Sequence, residues 1–136
     1  MVDSVEREAR RNQALILTDY ISFGIGMNFL GPTTLLPSII YLLGGSPVAV
    51  GLLGAIQSGA WLLPQLVIGR YVANRPFVKR WVVIPLGISR VCLGLIPLAL
   101  LLFALRAPAL GVGAILLAMF AFYVNDALGS VPWFDL

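Results

Sequence analysis

Between Tyr20 and Leu43 the chain runs for 24 residues without one charged side chain. Three more runs of comparable length follow, and charge is almost confined to the joints between them. A helix of about 20 apolar residues crosses a hydrocarbon core of roughly 30 Å, so such runs read as membrane spans. They are too long and too evenly apolar for buried strands. With 60% hydrophobic and 11% charged residues among 136, the chain also lacks the polar surface a soluble domain of this size needs. The expected fold class is an all-α membrane protein with four transmembrane helices. A polar arm over residues 1–13 precedes a transmembrane region over 14–136, with spans at about 15–43, 48–69, 81–105 and 108–131.

Placement of the nine basic residues orients these spans. Arg7, Arg10 and Arg11 precede span 1; Arg70, Arg75, Lys79 and Arg80 lie between spans 2 and 3. The joint Gly44-Gly45-Ser46-Pro47 is uncharged, and the joint after span 3 holds only Arg106. Seven on one side against one on the other predicts a multi-pass protein of the cell (inner) membrane with a cytoplasmic N-terminus. The formal charge of +3 is then loop topology, and no nucleic-acid partner is expected. Span 1 is too long for a cleaved signal peptide, and Asp3, Glu6 and Glu8 precede it, so it is expected to be retained. Span 4 should end on the cytoplasmic side, yet no basic residue follows before Leu136. The chain is therefore expected to be the N-terminal piece of a longer protein.

Catalytic constellations are missing. With no histidine and a single cysteine, Cys92, neither a metal site, an intrachain disulfide nor histidine-based catalysis is expected. Gly24-x-Gly26 and Gly51-x-x-Gly54 fall within apolar runs and read as packing glycines, so no enzymatic activity and no cofactor are anticipated. Pro32 and Pro37, with Gly24, Gly26 and Gly31, predict a kinked span 1. Gly51, Ala55 and Gly59 recur every fourth residue, as do Ala114, Ala118 and, with Ala121 and Asn125, the rest of a stripe on span 4. Such stripes let backbones approach closely, so spans 2 and 4 are expected to pack along those faces.

The chemistry available is ionic. Arg90 lies nine residues past Trp81, roughly 13 Å into its span at about 1.5 Å per residue. A charge at that depth costs about 2.5–3.5 kcal/mol on insertion scales and should face the bundle interior with a partner. It reads either as a structural ion pair or snorkelling side chain, or as a site for an anionic substrate group or gating salt bridge. Asp126 is its candidate partner, or else an interfacial carboxylate. Asp19, with Ser22 and Gly26 on about the same face, is either a carboxylate at the start of span 1 or a proton or cation relay. Gln57, Gln65 and Asn125 are uncharged hydrogen-bonding groups suited to holding helices together. The candidate pathway residues are thus Asp19, Ser22, Arg90, Asn125 and Asp126.

Three stretches carry a resemblance to the major facilitator superfamily of transporters. DYISFGIGMNFLGPTTLLP, Asp19 to Pro37, resembles that family's first helix. LLGGSPVAVGLLGAIQSGAWLLPQLVIGR resembles its short outer turn and glycine-rich second helix. GRYVANRPFVKR occupies the place of the signature loop G-x-x-x-D-R-x-G-R-K, with Gly69, Arg70, Arg75, Lys79 and Arg80 supplying its glycine and basic positions. The aspartate position holds Ala73, so the latch attributed to that aspartate is not carried over. The resemblance covers nearly all of the chain and implies four helices of a six-helix half-domain, completed by the remaining helices of a full-length transporter. It implies a secondary active transporter that moves a small solute by alternating access, coupled to H+ or Na+ or driven by the solute gradient. Helices 1 and 4 line the family's cavity, which would bring in Ser22, Gly26, Thr33, Asn125 and Asp126. Two alternatives stay open: a self-contained four-helix exporter working as a dimer, and a membrane subunit that does not transport.

Overall fold

The computed structural model describes residues 2–72 and 78–133, with side chains for 6–69 and 80–131. Among these residues there are five helices and no strand: α1 Val2–Leu30, α2 Leu35–Leu42, α3 Pro47–Val72, α4 Val78–Phe103 and α5 Pro108–Trp133. The all-helical class stands. Pro47–Gly69, Arg80–Phe103 and Pro108–Val131 are each long and apolar enough to cross a membrane, and α1 with α2 makes a fourth such stretch if counted as one broken span. The described residues form two compact units that part between Ser38 and Ile39.

In the first unit, the polar arm is not a separate segment. Helix α1 begins at Val2 and carries the charged residues and the apolar run on one continuous rod. Its 29 residues make it about 43 Å long, more than a hydrocarbon core requires. The break falls at Gly31, whose φ of +49° suits a residue without a Cβ. Gly31 N–H still donates to Met27, and the Gly31 carbonyl then accepts from Thr34, Leu35 and Leu36. Pro32 cannot continue the ladder, so the chain turns and restarts as α2, bent by 40°.

In the second unit, α2 ends in a Schellman motif: Gly45 N–H donates to Ile40 and Gly44 N–H to Tyr41, with Gly44 at φ +78°. Ser46 then caps α3, its hydroxyl and carbonyl both accepting from Ala49 N–H, with Pro47 in the first helical position. Between α4 and α5 the same device recurs. Ala107 accepts from Leu110 and Gly111, and Pro108 opens the helix.

Helix α5 is the central one, packing against both α3 and α4. Its span is 39% buried, against 22% for that of α4 and 17% for that of α3. On α4 the buried residues are Val82, Pro85, Ser89, Cys92, Ile96 and Ala99, alternating three and four apart. On α5, Val112, Ile115, Met119, Phe122, Asp126 and Gly129 repeat the spacing. Two such rows form an antiparallel seam of the coiled-coil kind. Glycine sets its closeness at both ends. A Cβ on Gly111 would lie 3.4 Å from the Phe103 Cβ, and one on Gly129 would lie 2.7 Å from the Leu86 Cγ.

The small-residue stripe of span 2 behaves otherwise than expected. Helix α3 buries Leu53, Ala60 and Ile68, while Gly51 and Ala55 are exposed and a Cβ on Gly51, Gly54 or Gly59 would meet nothing within 4 Å. Its periodicity is real, but the leucine–isoleucine face meets α5 instead. On α5 itself the alanine stripe is buried or half-buried, with Ala118 in the core.

Candidate functional site

Several polar side chains among the described residues satisfy themselves on their own backbone. Thr18 donates to Ala14, Asn28 to Gly24, Ser38 to Thr34, Asn125 to Ala121 and Ser130 to the Ala127 carbonyl. Each reaches back one turn, the usual solution for a short polar group where water is absent. For Arg90 and Asp126 a bond to their own backbone would leave a net charge uncompensated.

The antiparallel seam solves the problem by register. Leu86 faces Gly129 at one end of α4, so one turn further along α4 Arg90 comes opposite Asp126. The Arg90 Nη1 donates to Asp126 Oδ1 at 3.1 Å. The same nitrogen donates to the Ser89 hydroxyl at 3.1 Å, and that hydroxyl donates onward to the Leu86 carbonyl at 2.8 Å. Ser89 is wholly buried, so its hydroxyl is committed to this chain of bonds. The pair is lopsided: the Asp126 side chain is 9% exposed and that of Arg90 28%. The carboxylate is enclosed and the guanidinium is the accessible partner.

Tyr123 lies one turn before Asp126 on α5. It is buried, and its ring meets Phe122 edge-on at 4.9 Å and 67°. Its hydroxyl is sealed from solvent and makes no hydrogen bond among the described residues. A phenol stands too far from its own helix axis to bond back as serine and asparagine do.

The remaining residues singled out from the sequence lie on other parts of the helices. Asp19 and Ser22 are exposed on α1, in the first unit. Asn125 is half-buried on α5, with its amide turned to Ala121 rather than toward α4. Gln57 and Gln65 are half-buried on α3. Of the signature-like loop, Gly69 is half-buried at the end of the α3 span and Arg80 is exposed at the start of the α4 span. Arg75 and the side chains of Arg70 and Lys79 lie outside the described residues. Among the described residues no group of three or more His, Cys, Asp or Glu could hold a metal.

Sequence reasoning missed Ser89, Tyr123 and Gly129. The three–four spacing from Val82 to Ala99 would have placed Ser89 in the seam. Gly129, three residues after Asp126, could have been read as the point of closest approach. Nothing in the sequence marks Tyr123 as lacking a partner. Comparison with protein families, curated proteins and solved structures finds no match to this chain.

Proposed function

We propose that these helices belong to a secondary active transporter of the major facilitator kind, which moves a small solute across the cell membrane by alternating access. The observation that carries this reading is the Arg90–Asp126 pair, an ion pair between two helices each long and apolar enough to span a bilayer. Charges at that depth are costly and are characteristic of substrate and ion pathways. The guanidinium is the more accessible partner of the pair, so a solute or a rearrangement of α4 against α5 can exchange it. A bistable contact of that kind is what alternating access requires. The loop Gly69 to Arg80, the uncharged turn at Gly44 to Pro47 and the glycine-rich α3 support the same reading through their resemblance to the family, as does the one-sided placement of basic residues for a cytoplasmic N-terminus.

The test is exchange of labelled solute in proteoliposomes. Vesicles carrying the protein are preloaded with a mixture of small metabolites, and uptake of each labelled member is compared with empty vesicles. Exchange is expected for at least one solute. It should fall at least tenfold in Asp126→Ala and recover in part in the swapped pair Arg90→Asp with Asp126→Arg. Uptake no faster than in empty vesicles would sink the proposal.

A further inference from the structure

Beyond the ion-pair site, we infer that the face of α1 carrying Arg7, Arg10 and Arg11 binds an anionic phospholipid, its phosphate on the arginines and its acyl chains along the same side of the helix. The three positions follow the i, i+3, i+4 spacing that puts side chains on one helix face, with Cβ atoms about 5–6 Å apart. All three are exposed, and none makes a hydrogen bond or ion pair with another described residue. Glu6 sits four residues before Arg10, the spacing at which helical ion pairs form, yet the two are not joined. Glu6 and Glu8 lie to either side of the arginine face, and Asp3 is a turn further from the apolar run. Three unspent guanidinium groups on one face select an anion, and their paired N–H donors suit phosphate oxygens.

The rest of α1 identifies the anion as that of a lipid. The helix is continuous from Val2 to Leu30, so the arginine face extends without a break into the apolar run. At about 1.5 Å per residue, Arg11 and Arg10 stand roughly 5–6 Å before Ala14, and Arg7 roughly 10 Å. A headgroup layer about 5–7 Å thick flanks each side of the hydrocarbon core, so two arginines fall within it and the third at its edge. Further along, Ile21, Ile25 and Phe29 come about four, five and six turns after Arg7, on the same face. They are 51%, 55% and 80% exposed. Thr18, between the arginines and this strip, spends its hydroxyl on the Ala14 carbonyl. A phosphate site joined to an open apolar strip matches the two ends of a phospholipid. A zwitterionic headgroup suits it less, because its own cation offsets the charge that the arginines attract.

The experiment is native mass spectrometry of the full chain released from detergent micelles, titrated with dioleoyl phosphatidylglycerol or dioleoyl phosphatidylcholine. Phosphatidylglycerol is expected to bind about tenfold more tightly, and to weaken as salt rises. Two variants locate the site. Arg10→Gln with Gln13→Arg and Arg11→Asn with Asn12→Arg keeps the composition and charge of the arm but spreads its arginines over three faces. Arg7→Gln with Arg10→Gln and Arg11→Gln removes them. Each should lower the preference to about twofold or less, while Arg80→Gln, at the start of the α4 span, should leave it unchanged. Equal binding of the two lipids would overturn the inference. So would a preference kept in the rearranged variant, which would assign it to net charge alone. Displacement of phosphatidylglycerol by an equal concentration of glycerol 1-phosphate would reveal a site for free phosphate esters and overturn the lipid. None of these outcomes bears on solute exchange through the Arg90–Asp126 site.

Discussion

Gly129 on α5 lies so close to Leu86 on α4 that a Cβ added to it would sit 2.7 Å from the Leu86 Cγ and 3.4 Å from the Leu86 backbone nitrogen. One turn away along α4, Arg90 meets Asp126 at 3.1 Å. The glycine and the ion pair are coupled through helix separation. Aspartate has a short side chain, so the pair closes only where the backbones run near each other, and a residue without a side chain lets them do so.

Overpacking at Gly129 should therefore be costly where the glycines of α3 are tolerant. Gly129→Val is expected to lose roughly 1–3 kcal/mol in reversible detergent unfolding. Gly51→Ala and Gly59→Ala, whose added Cβ meets nothing within 4 Å, should stay within about 0.5 kcal/mol. Equal losses at all three positions would show that the α3 stripe is packed after all.

Breaking the ion pair should loosen the seam beside it. A double-mutant cycle with Arg90→Ala and Asp126→Ala is expected to give a coupling of roughly 1–2 kcal/mol. Cys92, the chain's single cysteine, is buried in the same row of α4 and reports on opening without an engineered probe. Its alkylation by N-ethylmaleimide should speed up several-fold in Asp126→Ala. An unchanged rate would mean that the seam closes without the pair.

The break in the first span should depend on backbone conformation at Gly31. An alanine there must adopt φ near +49° and would place its Cβ 2.8 Å from the Thr34 Oγ1 and 2.9 Å from the Leu35 Cβ. A cost of about 1–2 kcal/mol, or a straightened helix, is expected. Gly24→Ala, in the helical part of α1 with open space around it, is the control and should be neutral. Helix orientation from spin-label distances across the break separates the two outcomes.

Orientation in the membrane can be read by cysteine accessibility in a Cys92→Ala background. Arg106→Cys, in the exposed turn between α4 and α5, should react with an impermeant maleimide from outside intact cells. Arg80→Cys should react only after permeabilisation. The reverse pattern would invert the topology, and with it the assignment of the basic loop to the cytoplasm.

Residue chemistry made the helical class and the costly charge of Arg90 plain. Runs without charge cannot lie in water and can cross lipid only as helices, and a Gly31-Pro32 pair interrupts a helix wherever it occurs. Arg90 announced itself by the cost of placing it in lipid, whereas Asp126 read equally as its partner or as an interfacial carboxylate. Other features stayed hidden because they are differences between equivalent faces. The Gly51–Ala55–Gly59 stripe and the Leu53–Ala60–Ile68 row are both periodic and apolar, and lipid solvates either one. Only the turn at Ala104 to Ala107 and the seam it permits decide which face meets a neighbour.

From the sequence alone, then, come apolar helices, their punctuation and a mid-span arginine in need of a partner. The tertiary structure decided that α5 is the central helix, that Asp126 is the partner, that Ser89 supports the guanidinium and that the Tyr123 hydroxyl is left unspent. The physical reason is that hydropathy is a property of each residue, whereas register is a property of two helices. It follows from where Gly129 and Gly111 let their backbones touch.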